Sequence, residues 1–378
     1  MRESVKLFLK EGGIIMIGIA LYPDKTTYKE DVAYLKLAQT YGFQKVFMSM
    51  LQIDIQDPQK SIRRLKESMA FANELGMLVM LDIHPMVFDY LKMKEDDLSY
   101  FHDIGVKILR LDSGYNGRTE AMMTHNPYGI TIDVNMSNDT HYFHLIQDYR
   151  PQYQNLSASF NFYPQRYTGL SLETFQSCSR HFENAHIQTA AFITSQDAKV
   201  SPWPVSDGLC TLEVHRDLPI DVQARHMKML NCVDDIIIAN TFASETELKI
   251  VQDIMQLPID YLNVSFFEDA TELEKQMICT VHDYRGDASE YIIRSSHNKQ
   301  KYAKEVILPK HNVRNIQRGD ILVLNDNYGQ YKAEIQIALK DRVGDPRINV
   351  VGRIREDEMI LLDQLKPFQT FELKEALI

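Results

Sequence analysis

Short apolar runs alternate with longer amphipathic stretches through most of the chain. Met16–Tyr22 is continuously apolar, the pattern of a parallel strand buried on both faces. From Tyr28 to Tyr41 the apolar positions shift to helical spacing, with Thr26 or Thr27 as opening cap and Gly42 as the stop. The unit then repeats. Strands are predicted at Lys45–Met50, Met77–His84, Lys107–Asp112, Ile130–Asn135, the stretch from Leu156, His186–Thr194 and Asp234–Ala239. Helices are predicted through Ser61–Leu75, Asp96–Ile104, Asn116–Met123, Thr140–Asp148, Ser171–Asn184, Ile220–Leu230 and Ser244–Gln256. Eight strand–helix units in about 245 residues point to an α/β fold, a TIM (β/α)8 barrel. A doubly wound open sheet is the alternative, but no Gly-rich dinucleotide fingerprint follows the first strand.

Beyond Pro258 the pattern changes to short strands, at Tyr261–Phe267, Tyr291–Ser295, Asp320–Leu324, Tyr331–Ala338 and Asn349–Ile354. Clusters of Asp, Gly, Asn and Pro separate them, and Asn325–Gly329 reads as a turn. The expectation is a barrel over residues 14–257 and a small β-barrel domain over 261–378.

Composition narrows the function. The 378 residues carry 41 basic and 52 acidic side chains, a net charge of −11, which argues against a nucleic-acid or membrane-surface binder. Four scattered cysteines lack metal-type spacing and fit free thiols in a reducing cytoplasm. Met1–Gly13 lacks the small-residue cleavage site of a signal peptide, and Met16 is an alternative start.

TIM barrels build their sites at the C-terminal ends of the strands. Those ends carry Tyr22, Ser49, Asp82 with His84, Arg110 with Asp112, Asp133 with Asn135, Asn161, Thr194 and Asn240. Residues two apart on a strand face the same way, so each pair aims into the mouth together. Polar groups there must pair with one another or with a ligand, and so many of them fit a polyhydroxylated or phosphorylated ligand. Past the sixth strand, Tyr163 and Arg166 lie on a polar, aromatic loop; Arg166 is the choice for a phosphate, through its planar fork. The long excursion after strand seven brings Glu213 and Arg216 toward the mouth. His84 with Asp82 makes a poor metal site, and nothing places a histidine beside Cys210. No metal or organic cofactor is expected.

Ile-Gly-Ile-Ala-Leu-Tyr-Pro at the first strand, Leu109-Arg-Leu-Asp112, Asn161-Phe-Tyr-Pro164 with Tyr167-Thr-Gly-Leu170, and Thr211-Leu-Glu213 with His215-Arg216 resemble the 6-phospho-N-acetylmuramidase family, formerly labelled outer surface proteins. The resemblance spans nearly the whole chain. It implies a TIM barrel followed by a cyclophilin-like β domain. It also implies cytoplasmic cleavage of N-acetylmuramic acid 6-phosphate–N-acetylglucosamine in peptidoglycan recycling. It assigns no catalytic pair. Residue chemistry suggests Asp112, kept ionised beside Arg110, as base or nucleophile. Glu213, with apolar neighbours Leu212 and Val214, is expected to have a raised pKa and to act as acid, with Asp82 and Asp133 in reserve. The rivals are another sugar-phosphate enzyme on the same barrel (an isomerase or aldolase) and a non-catalytic sugar-phosphate binder. No strand-end lysine suits a Schiff base, which weighs against an aldolase.

Overall fold

The computed structural model describes residues 16–51, 58–198, 200–296 and 299–376; the leader and start-site expectations for residues 1–13 lie outside them. The chain divides into two compact units, Met1–Gln256 and Leu257–Ile378.

In the first unit eight parallel strands close into a barrel in sequence order. They are β1 (Met16–Ala20), β2 (Lys45–Ser49), β3 (Leu78–Ile83), β4 (Ile108–Leu111), β5 (Thr131–Asn135), β6 (Leu156–Ser159), β7 (Gln188–Ile193) and β8 (Asp235–Ile238). Pairing of β1 with β8, from Met16 opposite Asp235 to Ile19 opposite Ile238, seals the ring. The surrounding helices are α1 (Tyr28–Thr40), α2 (Pro58–Glu74), α3 (Met86–Leu91), α4 (Ser99–Asp103), α5 (Arg118–Met123), α6 (Tyr142–Asp148), α7 (Leu172–Arg180), α8 (Ile220–Leu230) and α9 (Glu245–Gln256). Thr27 caps α1 in a reciprocal box with Glu30. Ser171 caps α7 by accepting the Thr174 N–H.

Two departures from the sequence pattern have local causes. The helix expected at Asp96–Ile104 is the shorter α4, and a helix the pattern did not give, α3, precedes it and ends where Lys92 takes a left-handed conformation (φ 55°). Strand β6 stops at Ser159, because the following segment turns to pair with the excursion after β7, Tyr163 donating its N–H to Cys210 O at 3.1 Å.

The barrel interior is layered. A buried ion pair between Lys45 and Asp235 lies at the N-terminal ends of β2 and β8, with Met16 N donating to the same carboxylate. Above it pack Phe47, Met80, Ile108, Phe192 and Ile237. Phe47, Phe162 and Phe192 meet edge to face, with ring centres 5.2–6.1 Å apart.

The second unit is a mixed seven-stranded sheet. Its strands are β9 (Asp260–Phe266), β10 (Val281–Asp283), β11 (Ile292–Ser295), β12 (Asp320–Leu324), β13 (Ile335–Ala338), β14 (Ile348–Ile354) and β15 (Thr370–Glu375), ordered β10-β15-β9-β14-β12-β13-β11. Only β15 with β9 runs parallel, and the edge strands β10 and β11 approach each other, nearly closing a small barrel. The sequence pattern missed β10 and β15, and it missed helix α10 (Glu272–Ile278), which opens on a Thr271–Glu274 capping box. Strand β13 starts later than expected, because Asn325 caps a helical turn through Tyr331. A short helix, α11 (Met359–Leu362), completes this unit. Among the described residues, no helix is long and apolar enough to cross a membrane.

Candidate active site

The polar layer at the barrel mouth is centred on Arg110, which is 2% exposed. The alternation of β3 and β4 turns Asp82 and Arg110 inward, and their registry places them side by side. Arg110 Nη1 donates to Asp82 Oδ1 at 2.6 Å and reaches Asp112 Oδ1 at 3.5 Å. Its Nε donates to Ser159 Oγ at 2.9 Å, with Asp133 Oδ1 3.8 Å away, and its Nη2 donates to Asn161 Oδ1. Asn135 Nδ2 joins the network through Asn161 Oδ1 at 3.2 Å and Asp112 O at 3.0 Å. Asn161 is held in turn by its own N–H, which donates to Ser137 Oγ at 2.7 Å.

Three carboxyls therefore surround one guanidinium. Burial raises the Asp82 pKa to about 6; Arg110 opposes that rise and the Asp112 charge adds to it. Burial also raises Asp133, whose oxygens accept from Ser157 and Ser159 at the back of the layer. Arg110 is itself held firmly protonated: burial disfavours its charge, but Asp82 and Asp133 outweigh that. Burial outweighs the single cation, so Asp82 and Asp133 both keep their protons to higher pH than ordinary carboxyls.

A cleft of about 480 Å³ opens over this layer. One wall is polar, formed by Asp82, His84, Arg110, Asp112 and Asn161. The lining also includes the aromatic rings of Phe47, Phe162, Phe192 and Trp203. His84 Nδ1 receives the Met86 N–H at 3.2 Å, which leaves Nε2 to carry the proton. Asp112 is the more open carboxyl, its side chain one-third exposed against 4% for Asp82. A lining that combines polar groups with aromatic rings suits a sugar, whose hydroxyls need partners and whose C–H face packs on rings. The Arg110 guanidinium bound to Asp82 argues against a metal at Asp82 and His84.

The remaining predicted residues form two other clusters. The excursion after β7 runs back along the β6–α7 loop, bridging at Tyr163 with Cys210 and at Leu170 with Leu212. This carries the Glu213 carboxylate to the N–H groups of Tyr167 and Gly169, both at 2.8 Å. Arg216 closes the arrangement with two bonds to Glu213, at 2.7 and 2.6 Å. Its remaining terminal nitrogen donates to the carbonyls of Tyr163, Asp207 and Gly208. The raised pKa expected for Glu213 is thus corrected: the Arg216 bonds, helped by the two backbone N–H groups, lower it to about 2 despite partial burial. Glu213 is an ionised clamp, and the Arg216 fork is already spent on it. Arg166 grips Asp217 through both terminal nitrogens, at 2.5 and 2.9 Å, on the exposed side of the same loop. Cys210 is fully buried, and burial pushes its thiol up to about 11, which removes it as a nucleophile.

Asn240 stands apart from both. It is 2% exposed, and its Oδ1 accepts Thr194 Oγ1 and Ser195 N, each at 2.9 Å, so it ties the end of β7 to the end of β8. The strand-end Ser49 donates to Asp82 Oδ2 at 3.1 Å, and the residues that sequence reasoning missed include the supports Ser137, Ser157 and Ser159. The period-two pattern of β6 holds the signal for two of them, since Ser157 and Ser159 share a face and Ser157 pairs in register with Asp133.

The closed barrel and its carboxylate-lined, aromatic-walled mouth define a TIM-barrel enzyme of sugar chemistry. The chain belongs to the 6-phospho-N-acetylmuramidase family, a family of glycosidases: the family's N-terminal model matches residues 17–253 and its C-terminal model residues 261–374. Among solved structures, an uncharacterized B. cereus protein is 39% identical with a TM-score of 0.85, over 96% of this chain and 100% of that one. A conserved protein of unknown function from Enterococcus faecalis shares the fold at 24% identity and a TM-score of 0.70, covering 96% and 97% of the two chains. No curated protein matches the chain.

Proposed function

We propose that this glycosidase cleaves N-acetylmuramic acid 6-phosphate–N-acetylglucosamine during peptidoglycan recycling, with Asp82 as the acid and Asp112 as the nucleophile. One observation carries the assignment: both carboxyls contact the same nitrogen of Arg110, at 2.6 and 3.5 Å. That bounds their nearest oxygens to within about 6 Å, a spacing that favours the retaining arrangement over the wider inverting one. Asp82, with its pKa of about 6, holds a proton that it can deliver to the glycosidic oxygen as the bond breaks. Asp112, more open to the cleft, attacks the anomeric carbon. Water then releases the sugar phosphate, with Asp82 now acting as base.

Arg166 is the proposed phosphate ligand. Its loop begins just past Phe162 of the cleft lining, and the Arg166–Asp217 pair is exposed and solvent-screened, so a phosphate can displace the carboxylate easily. A cytoplasmic reaction is part of this reading, since a phosphorylated sugar is retained on the side of the membrane where it is made. The test is purified protein incubated with the phosphorylated disaccharide and with its dephosphorylated form, products read by mass spectrometry. Failure to cleave either one refutes the reading.

A further inference from the structure

A second cluster of chemistry-bearing side chains lies outside the mouth, on the helical ring. His141 immediately precedes α6, His144 sits in its first turn, and His181 follows the last residue of α7. Their ring nitrogens come within 4.8 Å of one another. The ring centres form a nearly equilateral triangle: 5.6 Å from His141 to His144, 6.0 Å from His141 to His181 and 5.5 Å from His144 to His181. Three imidazoles on one tetrahedral ion, each nitrogen about 2.0–2.1 Å from it, set their ring centres roughly 5 Å apart. The observed triangle needs to contract by less than an ångström per side. His141 and His144 are exposed, so small torsional adjustments suffice.

Asp139 stands behind the third imidazole. One of its oxygens meets His181 Nε2 at 2.6 Å, and the other accepts Ser177 Oγ at 2.6 Å. With Nε2 engaged by a carboxylate, Nδ1 is the His181 nitrogen left for an ion, in the carboxylate–histidine–metal arrangement that fixes a ligand and raises its basicity. Imidazole donors suit zinc and the later first-row metals, whereas calcium and magnesium demand oxygen. Sequence spacing hides this set, because His181 lies far along the chain on another helix.

We propose that His141, His144 and His181 bind a zinc ion, with water as the fourth ligand and Asp139 as the outer partner of His181. The ion ties the loop before α6 to the end of α7. The near end of that loop carries Asn135 and Ser137, which both hold Asn161 in the mouth. The role is therefore structural, steadying one side of the cleft from outside, and it does not depend on the proposed reaction.

Zinc titration of the chelator-treated full-length chain by calorimetry, with cobalt as a spectroscopic probe, tests this. One equivalent should bind, and cobalt should show tetrahedral visible bands without thiolate charge transfer. His144→Ala and His181→Ala should each weaken binding at least about tenfold, and Asp139→Ala by about tenfold. Zinc should also raise the melting temperature of the wild type by several degrees and leave the histidine variants unmoved. No saturable binding, thiolate bands, or unchanged affinity in the histidine variants overturns the proposal. The wild-type stoichiometry and cobalt spectrum decide the matter even if a variant fails to fold.

Discussion

Asp82 and Asp112 share one nitrogen of Arg110, but they do not share its environment. Asp82 is sealed between Arg110 and Ser49, while Asp112 stands at the edge of the cleft. Such asymmetry lets two neighbouring carboxyls hold different protonation states at one pH. Asp82→Asn and Asp112→Asn should therefore each lower turnover by at least about a hundredfold while the chain stays folded. Because Asp82 acts in its protonated form, kcat/KM should fall as pH rises through about 6, and that limb should vanish in Asp82→Asn. Near-normal turnover in both variants would remove the pair from the mechanism.

Glu213 makes the opposite prediction. Four hydrogen bonds converge on its carboxylate, from Arg216, Tyr167 N and Gly169 N, and they hold an anion in place. Glu213→Gln replaces one acceptor with a donor facing donors, so it should destabilise the fold by about 1–3 kcal/mol. The effect should appear in thermal unfolding and in KM, with the pH limb near 6 left unmoved. Its lowered pKa adds a signature: stability due to Glu213 is complete above the ordinary 4.5 and lost as pH falls toward about 2. A hundredfold loss of kcat with unchanged stability would return Glu213 to the chemistry.

What the sequence made legible here follows strand geometry. Asp82, His84, Arg110, Asp112 and Asn161 were readable because alternation along β3 and β4, and the end of β6, aims them at one known face of a barrel. Glu213, Arg216 and Arg166 sit on loops, where a side chain's partners depend on how two distant segments lie together. The bridge from Tyr163 to Cys210 that aligns those segments has no signature in either stretch. The long excursion and the apolar neighbours Leu212 and Val214 suggested catalysis for Glu213; the backbone N–H groups that make it a clamp could not be read. Ser157 and Ser159, which hold Asp133, were passed over for a simpler reason: a serine on a buried strand looks like any small residue until its carboxylate partner is known.

Arg166 carries the recognition test. Removing its guanidinium takes away a two-pronged donor and leaves Asp217 unpaired on an exposed loop. Arg166→Ala should narrow the preference for phosphorylated over dephosphorylated substrate by about tenfold or more, one good charge-assisted pair being worth about 1.5–3 kcal/mol. Arg166→Lys should recover only part of it, since the charge returns without the fork. The ratio of kcat/KM for the two substrates is the measurement, and an unchanged ratio moves the phosphate elsewhere.

The last prediction concerns acid stability and a pair of histidines outside the cleft. His215 Nε2 and His226 Nδ1 lie 2.8 Å apart, both rings buried, with His215 Nδ1 and His226 Nε2 lacking hydrogen-bond partners. Burial lowers the His226 pKa to about 4, and burial with His226 nearby drives His215 well below its ordinary value. Both rings are therefore neutral in the fold but titrate near 6.5 once unfolded. The sign follows from that difference: their contribution is complete above pH 6.5 and is lost as pH falls toward about 4, because only the unfolded chain takes up the protons. For His226 alone the loss amounts to about 3 kcal/mol across that window. Urea unfolding at pH 7.5 and 4.5 should show the drop. His226→Gln, which cannot gain a charge, should flatten it even if it lowers stability at pH 7.5. Parallel pH profiles for wild type and variant would mean that other groups govern the acid transition.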